Sequence, residues 1–233
     1  MDKVYANIDE AVADIPDGAS IAIAGFFTAG TPTQLIRALA RQGAKNLTII
    51  SQQMGPGNED ITKLVLQGQI KKAICNYPFY RSATRGASNP FEKAVCSGKI
   101  ELEVYPMGTF IEKLRAAGAG IAAFYTPTGV GTVVEWGKEK RVFDGREFLL
   151  ELALKPDYAF VYAWKGDRMG NLVCRKTARN YNPEMAAAAR ITIAAVEELV
   201  EPGELDPDKV HIPGIYVQRV VKVDRENYIP SIE

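Results

Sequence analysis

The chain has 233 residues, 47% hydrophobic and 24% charged, and its 28 Lys plus Arg match its 28 Asp plus Glu. That length supports one sizeable globular core, and zero formal net charge argues against general nucleic-acid binding, which needs a basic surface to displace counterions. Three widely spaced cysteines (Cys75, Cys96, Cys174) and a single histidine, His211, exclude a Cys/His zinc site, so no metal is expected and the thiols read as those of a reducing cytoplasm.

The opening MDKVYANIDEAVADIPDG has no apolar core of a secretory signal. No apolar run approaches the roughly 20 residues of a membrane span, so the expectation is a soluble, cytoplasmic protein without membrane contact. Residues 8–13 read as a short amphipathic helix stopped by Pro16-Asp17-Gly18, a turn signal. Residues 20–24 (SIAIA) suit a buried strand, and residues 25–32 form a glycine-bearing loop. Residues 33–42 carry Leu35, Ile36 and Leu39 at helical spacing, and residues 47–50 (LTII) are the next strand. Strand, loop, helix and strand make a βαβ unit with a right-handed crossover.

Apolar strands recur at 71–75, 102–105, 158–163 and 191–196, with helical patterns at 61–67, 91–97, 110–117 and 183–189. This alternation predicts an α/β fold, an open, mostly parallel sheet with helices on both faces, in one domain over residues 1–233. Residues 118–140 are glycine-rich and read as a long ordered loop.

Three segments could carry chemistry. In the first loop (Ala24, Gly25, Phe26, Phe27, Thr28, Ala29, Gly30), glycines permit close backbone approach, and the helix that follows favours negative charge. The loop is either a cradle for a phosphate or thioester oxygen or a tight strand-to-helix turn; it matches neither GxGxxG nor a P-loop. Residues 117–131 (AGAGIAAFYTPTGVG) suit either a channel wall or a subunit-contact loop. Residues 163–185 place Lys165, Arg168, Arg175, Lys176 and Arg179 beside Asn171, Asn180 and Asn182. Such groups orient acyl oxygens and carboxylates, and Asn180–Asn182 before Pro183 reads as a helix start. There is no GxSxG elbow, and one histidine in an apolar VHIPGIYV setting makes Ser-His or Cys-His catalysis improbable.

Four stretches, in order from residue 17 to 222, together resemble the A subunit of family I (3-oxoacid) CoA-transferases. Asp17-Gly18, Gly25-Phe26 and Gly30-x-Pro32 resemble the family's N-terminal signature, with Ala24 where the family has a glycine. Phe124-Tyr125-Thr126-Pro127-Thr128-Gly129-x-Gly131-Thr132 is a second match. Gly170-Asn171, Arg179-Asn180-Tyr181-Asn182 and Met185-Ala186 form a third, and His211-Ile212-Pro213-x-Ile215-Tyr216-Val217 a fourth.

The resemblance implies ping-pong transfer of CoA between an acyl-CoA and a short, 3-oxo carboxylic acid. It implies a nucleophilic glutamate on a partner B subunit, no catalytic nucleophile in this chain and an α2β2 assembly. Coenzyme A and its thioesters would be substrates, with no cofactor bound permanently. Residues 24–30 would bind CoA, while Gln52, Gln53, Met107 and Gly108 would line the substrate pocket. Met107 stands where the family has a glutamine, and a thioether donates no hydrogen bond. Arg81 or Arg85, in the divergent YPFYRSATR stretch, would receive the far end of a larger acid, or belong to a surface loop. Two other readings stay open: a non-catalytic acyl-CoA-binding module, and a sugar-phosphate isomerase-like enzyme.

Overall fold

The computed structural model describes residues 2–54, 59–79, 86 and 88–225. The first part of the chain runs α1 (Ile8–Val12), β1 (Ser20–Ile23), α2 (Thr33–Gln42), β2 (Leu47–Ser51), α3 (Glu59–Leu66), β3 (Ile70–Cys75), α4 (Pro90–Cys96) and β4 (Glu101–Val104). Local chemistry sets several boundaries. Asn7 and Asn89 cap α1 and α4 by accepting from the N–H groups of Glu10 and Glu92, at 2.9 and 2.8 Å, satisfying helix-end donors. Gly43 ends α2 at φ 88°, a left-handed C-terminal cap.

After β4 come α5 (Met107–Gly118), β5 (Ala123–Thr126), β6 (Lys140–Phe143), β7 (Arg146–Leu152), β8 (Tyr158–Asp167), β9 (Leu172–Val173), α6 (Asn182–Ala188), β10 (Ile191–Val200) and β11 (Arg219–Lys222). The main sheet is ordered β11-β10-β8-β1-β2-β3-β4, all parallel, with β9 antiparallel beside β8. The expected α/β architecture is therefore present, with helices on both faces. Strands covered twice read as continuous apolar runs, and their alternation feeds two cores. Ile21, Ile23, Ile49 and Cys75 pack with α1–α4 residues such as Leu35, Leu39, Leu64 and Phe91. Ala22, Ile50 and Ile74 pack with Phe110, Leu114, Met185 and Ala186 of α5 and α6.

From central β1 the chain steps outward through β2, β3 and β4, then returns to β8 on the other side of β1 and continues through β10 to β11. The strand order thus reverses between β1 and β8. Open parallel sheets bind ligands at the carboxyl edge beside such a reversal.

The expected long loop at 118–140 is corrected: it holds β5 and one 3₁₀ turn at Val133–Glu135. β5 belongs to a separate antiparallel sheet, β5-β7-β6. Asp144 (φ 48°) and Gly145 (φ 76°) turn β6 into β7, the Asp-Gly chemistry of a two-residue hairpin. β6 is exposed throughout, so it lacks the apolar run that marks the other strands. A buried ion pair fastens this sheet to α5, with Lys113 Nζ 3.0 Å from Glu151 Oε2 and Lys138 on the other carboxylate oxygen. β11 is a further strand that periodicity does not predict; its Arg219 is held by both oxygens of Asp14, at 2.6 and 2.7 Å.

Candidate functional site

The carboxyl ends of β1, β2, β3 and β4 lead into the 24–30 loop, Gln52, Asn76 and the start of α5. One sheet edge thus gathers the segments that could touch a ligand.

The glycine loop is rigid. Phe26 and Ala29 exchange backbone hydrogen bonds of 3.0 and 3.1 Å, and Thr31 Oγ1 donates to the Phe27 carbonyl at 2.9 Å. A Cβ on Gly25 would meet Thr31 Oγ1 at 2.2 Å, and one on Gly30 would meet the Ala178 carbonyl at 2.4 Å. Both glycines have positive φ, so close approach and backbone conformation require glycine together. The loop is also tied to the start of α6. Asn180 Nδ2 donates to the Ala29 carbonyl at 2.8 Å, and Asn182 Nδ2 to the Gly30 carbonyl at 3.1 Å. Asn182 Oδ1 accepts from the Tyr162 N–H at 2.7 Å. These asparagines, expected to orient acyl oxygens, are engaged in holding the loop. Asn182 does open α6, as expected.

The amides at the next strand ends differ. Gln53 forms a parallel bridge with Tyr77, so Gln52 stands level with Asn76, in the same offset as Ile50 with Ile74. Alternation puts Gln52 and Asn76 on the α5–α6 face and turns Gln53 to the opposite face. The two glutamines, both expected to line the substrate pocket, therefore lie on opposite faces of the strand. Gln52 Oε1, Asn76 Oδ1 and Thr109 Oγ1 are buried without a hydrogen-bond partner, as are both amide atoms of Gln53; the Asn76 Nδ2 side lies against the Tyr181 phenol. Unpaired buried polar atoms are costly and call for an explanation.

Next to Tyr181, the neighbour of Asn76, lies a 430 Å³ cavity lined by Met107, Gly108, Ile111, Asn180, Tyr181 and Glu184. Met107 and Gly108 thus border a cavity. Tyr181 joins cavity to loop: its ring stacks on Phe26 at 6.3 Å and meets Phe110 edge-on at 6.1 Å. Burial raises the Tyr181 phenol above the usual tyrosine range, against a smaller opposing pull from the neighbouring Asn76 amide. A 240 Å³ cavity opens on the loop's other side, along Thr28–Thr31, Arg175 and Glu197; Arg175 is paired with Glu197 at 3.2 Å.

Arg81 and Arg85 lie outside the described residues. Thr126 and Thr128 belong to the antiparallel sheet and the turn after β5. His211 Nδ1 accepts from the Cys174 N–H at 3.0 Å, which leaves Nε2 as the protonated nitrogen of the neutral ring. Burial, with Arg179 nearby, lowers its pKa. Burial pushes the thiols of Cys174 and Cys75 up to about 11 and about 12, so neither supplies a thiolate at neutral pH. Sequence reasoning missed Asn76, Thr109, Tyr181 and Glu184 as site residues. The available signal was position, since Asn76 directly follows a buried strand and Thr109 lies in the first turn of α5.

A locked glycine turn beside buried amides, at the carboxyl edge of a parallel sheet, defines an α/β protein with a candidate ligand site where its strand order reverses. The chain belongs to the coenzyme A transferase family, whose model, Coenzyme A transferase, matches residues 5–223, and within it to the A-type chains. It is 47% identical over 223 residues to the A subunit of 3-oxoadipate CoA-transferase from Pseudomonas putida, covering 96% of this chain and 94% of that one. It is 45% identical over 225 residues to the A subunit of succinyl-CoA:3-ketoacid coenzyme A transferase from Helicobacter pylori, covering 97% and 94%. An acyl-CoA transferase of Escherichia coli O157:H7, solved as a thioester complex with CoA, superposes with a TM-score of 0.81 at 27% identity. That match covers 96% of this chain but 47% of the Escherichia coli chain, so this chain corresponds to about half of that enzyme.

Proposed function

We propose that this chain, joined to a B subunit, moves CoA between an acyl-CoA and a short carboxylic acid, with 3-oxo acids as the substrate class. The observation that carries this is the Met107–Glu184 cavity at the carboxyl edge of the sheet, with the buried Asn76 amide behind its Tyr181 wall. The names of the relatives supply the substrate class and the A-type designation. The half-length match to a longer transferase fits a site completed by a second polypeptide.

In this reading a glutamate on the B chain attacks the acyl-CoA carbonyl carbon and expels the CoA thiolate, leaving a mixed anhydride. The thiolate then attacks the glutamyl carbonyl of that anhydride and releases the first acid, leaving a glutamyl-CoA thioester. A second acid reverses both steps. This chain's share is to hold and polarise. Asn76 Nδ2 donates to the oxygen on which negative charge develops, the role left open by Met107. A preorganised donor of this kind contributes on the order of 10²–10³ in rate. The rigid 24–30 loop fixes the pocket's wall on the β1 side and borders CoA, and the complex is α2β2 in the cytoplasm.

Acyl exchange assayed on the co-purified A–B complex, with hydroxylamine trapping of the intermediate, tests this. The thioester is expected on the B chain. Full-rate exchange by this chain alone would overturn the division of labour. A stable complex inert toward a panel of acids would instead favour a binding module, which Met107 also suits.

A further inference from the structure

Tyr181 touches the glycine loop, the strand-end amide and the cavity at once. Its ring stacks on Phe26 with an interplanar angle of 7° and meets Phe110 edge-on, so the loop and α5 together fix its plane. Only 7% of the residue is exposed, and it walls the cavity with Met107 and Gly108. Its phenol end lies against the Asn76 amide. A carboxamide nitrogen only donates, so toward Asn76 the phenol oxygen accepts and its own hydrogen turns elsewhere. Burial, with the Glu184 carboxylate on the same wall, raises the phenol above the usual tyrosine range, which keeps that hydrogen on the oxygen at neutral pH. The first turn of α5 meets the same cavity: Met107 and Gly108 open the helix, and Pro106 before them provides no side-chain cap. Uncapped N–H groups at a helix start favour negative charge, whereas the Met107 thioether offers no donor.

A protonated phenol whose ring is held by packing is a donor that needs no reorganisation when charge develops. We propose that Tyr181 is a further catalytic residue of the transfer reaction, its hydroxyl donating to the acyl oxygen at the cavity and supplying the hydrogen bond that Met107 cannot. The second hydrogen of Asn76 Nδ2 reaches the same oxygen, which makes a pair of donors. No proton is transferred. As the nucleophile bonds to the carbonyl carbon, the π pair moves onto oxygen and both hydrogen bonds strengthen; as the leaving group departs with its bonding pair, the carbonyl re-forms and they relax. This deepens the CoA-transfer reading and rests on it.

The test uses the A–B complex with succinyl-CoA as donor and acetoacetate or 3-oxoadipate as acceptor. Tyr181→Phe keeps the ring and its stacking, so the complex is expected to assemble normally, with a thermal midpoint within about 4 °C of wild type. Its kcat should fall on the order of 10²-fold while KM stays within about threefold. Met107→Gln added to Tyr181→Phe places an amide donor on another wall of the cavity and should restore kcat by about tenfold; Met107→Leu in the same background should restore nothing. A Tyr181→Phe kcat within about threefold of wild type would overturn the proposal. So would a loss that tracks a lower thermal midpoint or weaker A–B assembly, which would mean that the hydroxyl serves packing or the partner chain. A loss that Met107→Gln leaves undiminished would overturn the assignment of the hydroxyl to that donor position. A wild-type complex that transfers CoA to neither acid would remove the underlying reading as well, and the wild-type assay separates that failure from the others.

Discussion

Two neighbouring regions at the carboxyl edge of the sheet are in opposite states. In the 24–30 loop, Phe26, Phe27, Ala29 and Gly30 are engaged through backbone hydrogen bonds, Thr31, Asn180 and Asn182. One and two strands away, Gln52 and Asn76 hold buried amide atoms with no partner. Satisfied polar groups rigidify a fold, whereas unsatisfied ones are tolerated where a ligand completes them. The contrast separates a loop whose polar groups the protein itself engages from amides it leaves partly unengaged, although both are candidate ligand groups by composition.

The largest effect that probes this contrast is expected at Gly30. With φ 69° and the Ala178 carbonyl 2.4 Å from where a Cβ would sit, Gly30→Ala should cost about 3 kcal/mol or more. At this chain length that is a Tm drop of roughly 10 °C, readable by thermal unfolding. A change of less than about 0.5 kcal/mol, within the range of ordinary surface substitutions, would show that the loop is not locked.

Asn76→Leu should give the converse. Replacing an unpaired amide by an apolar group of similar shape is expected to leave stability within about 1 kcal/mol. Acyl exchange by the A–B complex should nevertheless fall on the order of 10²-fold. Lost stability with unchanged exchange would move Asn76 into the scaffold.

Asn182→Ala comes next. It strips the Gly30 and Ala178 carbonyls of a donor and the buried Tyr162 N–H of its acceptor, and should destabilise by about 2 kcal/mol in denaturant unfolding. The smallest effect is expected for Gln53→Leu, which removes unpaired amide atoms on the opposite face. Stability should shift by less than about 1 kcal/mol, and exchange should change far less than in Asn76→Leu. Equal losses of exchange in the two variants would erase the distinction between the faces.

Legibility in the sequence follows burial. α2 coincides with its expected range because Leu35, Ile36 and Leu39, all fully buried, write a helical period into the residues. β1, β2 and β8 are legible for the same reason, being covered on both faces. The strands that periodicity misses are partly or wholly exposed, as in β5 and β6, or sit at the sheet margin, as β11 does. The glycine positions of the loop and the Met107–Gly108 corner are legible as chemistry. Asn76 and Glu184 are not, because an isolated amide or carboxylate looks the same in sequence whether it is solvated or stranded.

By itself the sequence determined the parallel α/β architecture, the scarcity of histidine and the likeness to the transferase family. These depend on periodicity, composition and short local motifs, all of which survive in a one-dimensional string. Only the tertiary structure decided that Asn180 and Asn182 hold the backbone of the glycine loop, that Gln52 and Gln53 part company, and that Glu184 lines the cavity. Hydrogen-bond satisfaction depends on which distant segments meet, as Gly30 meets Asn182 across 152 positions, and such pairings exist only once the chain has folded.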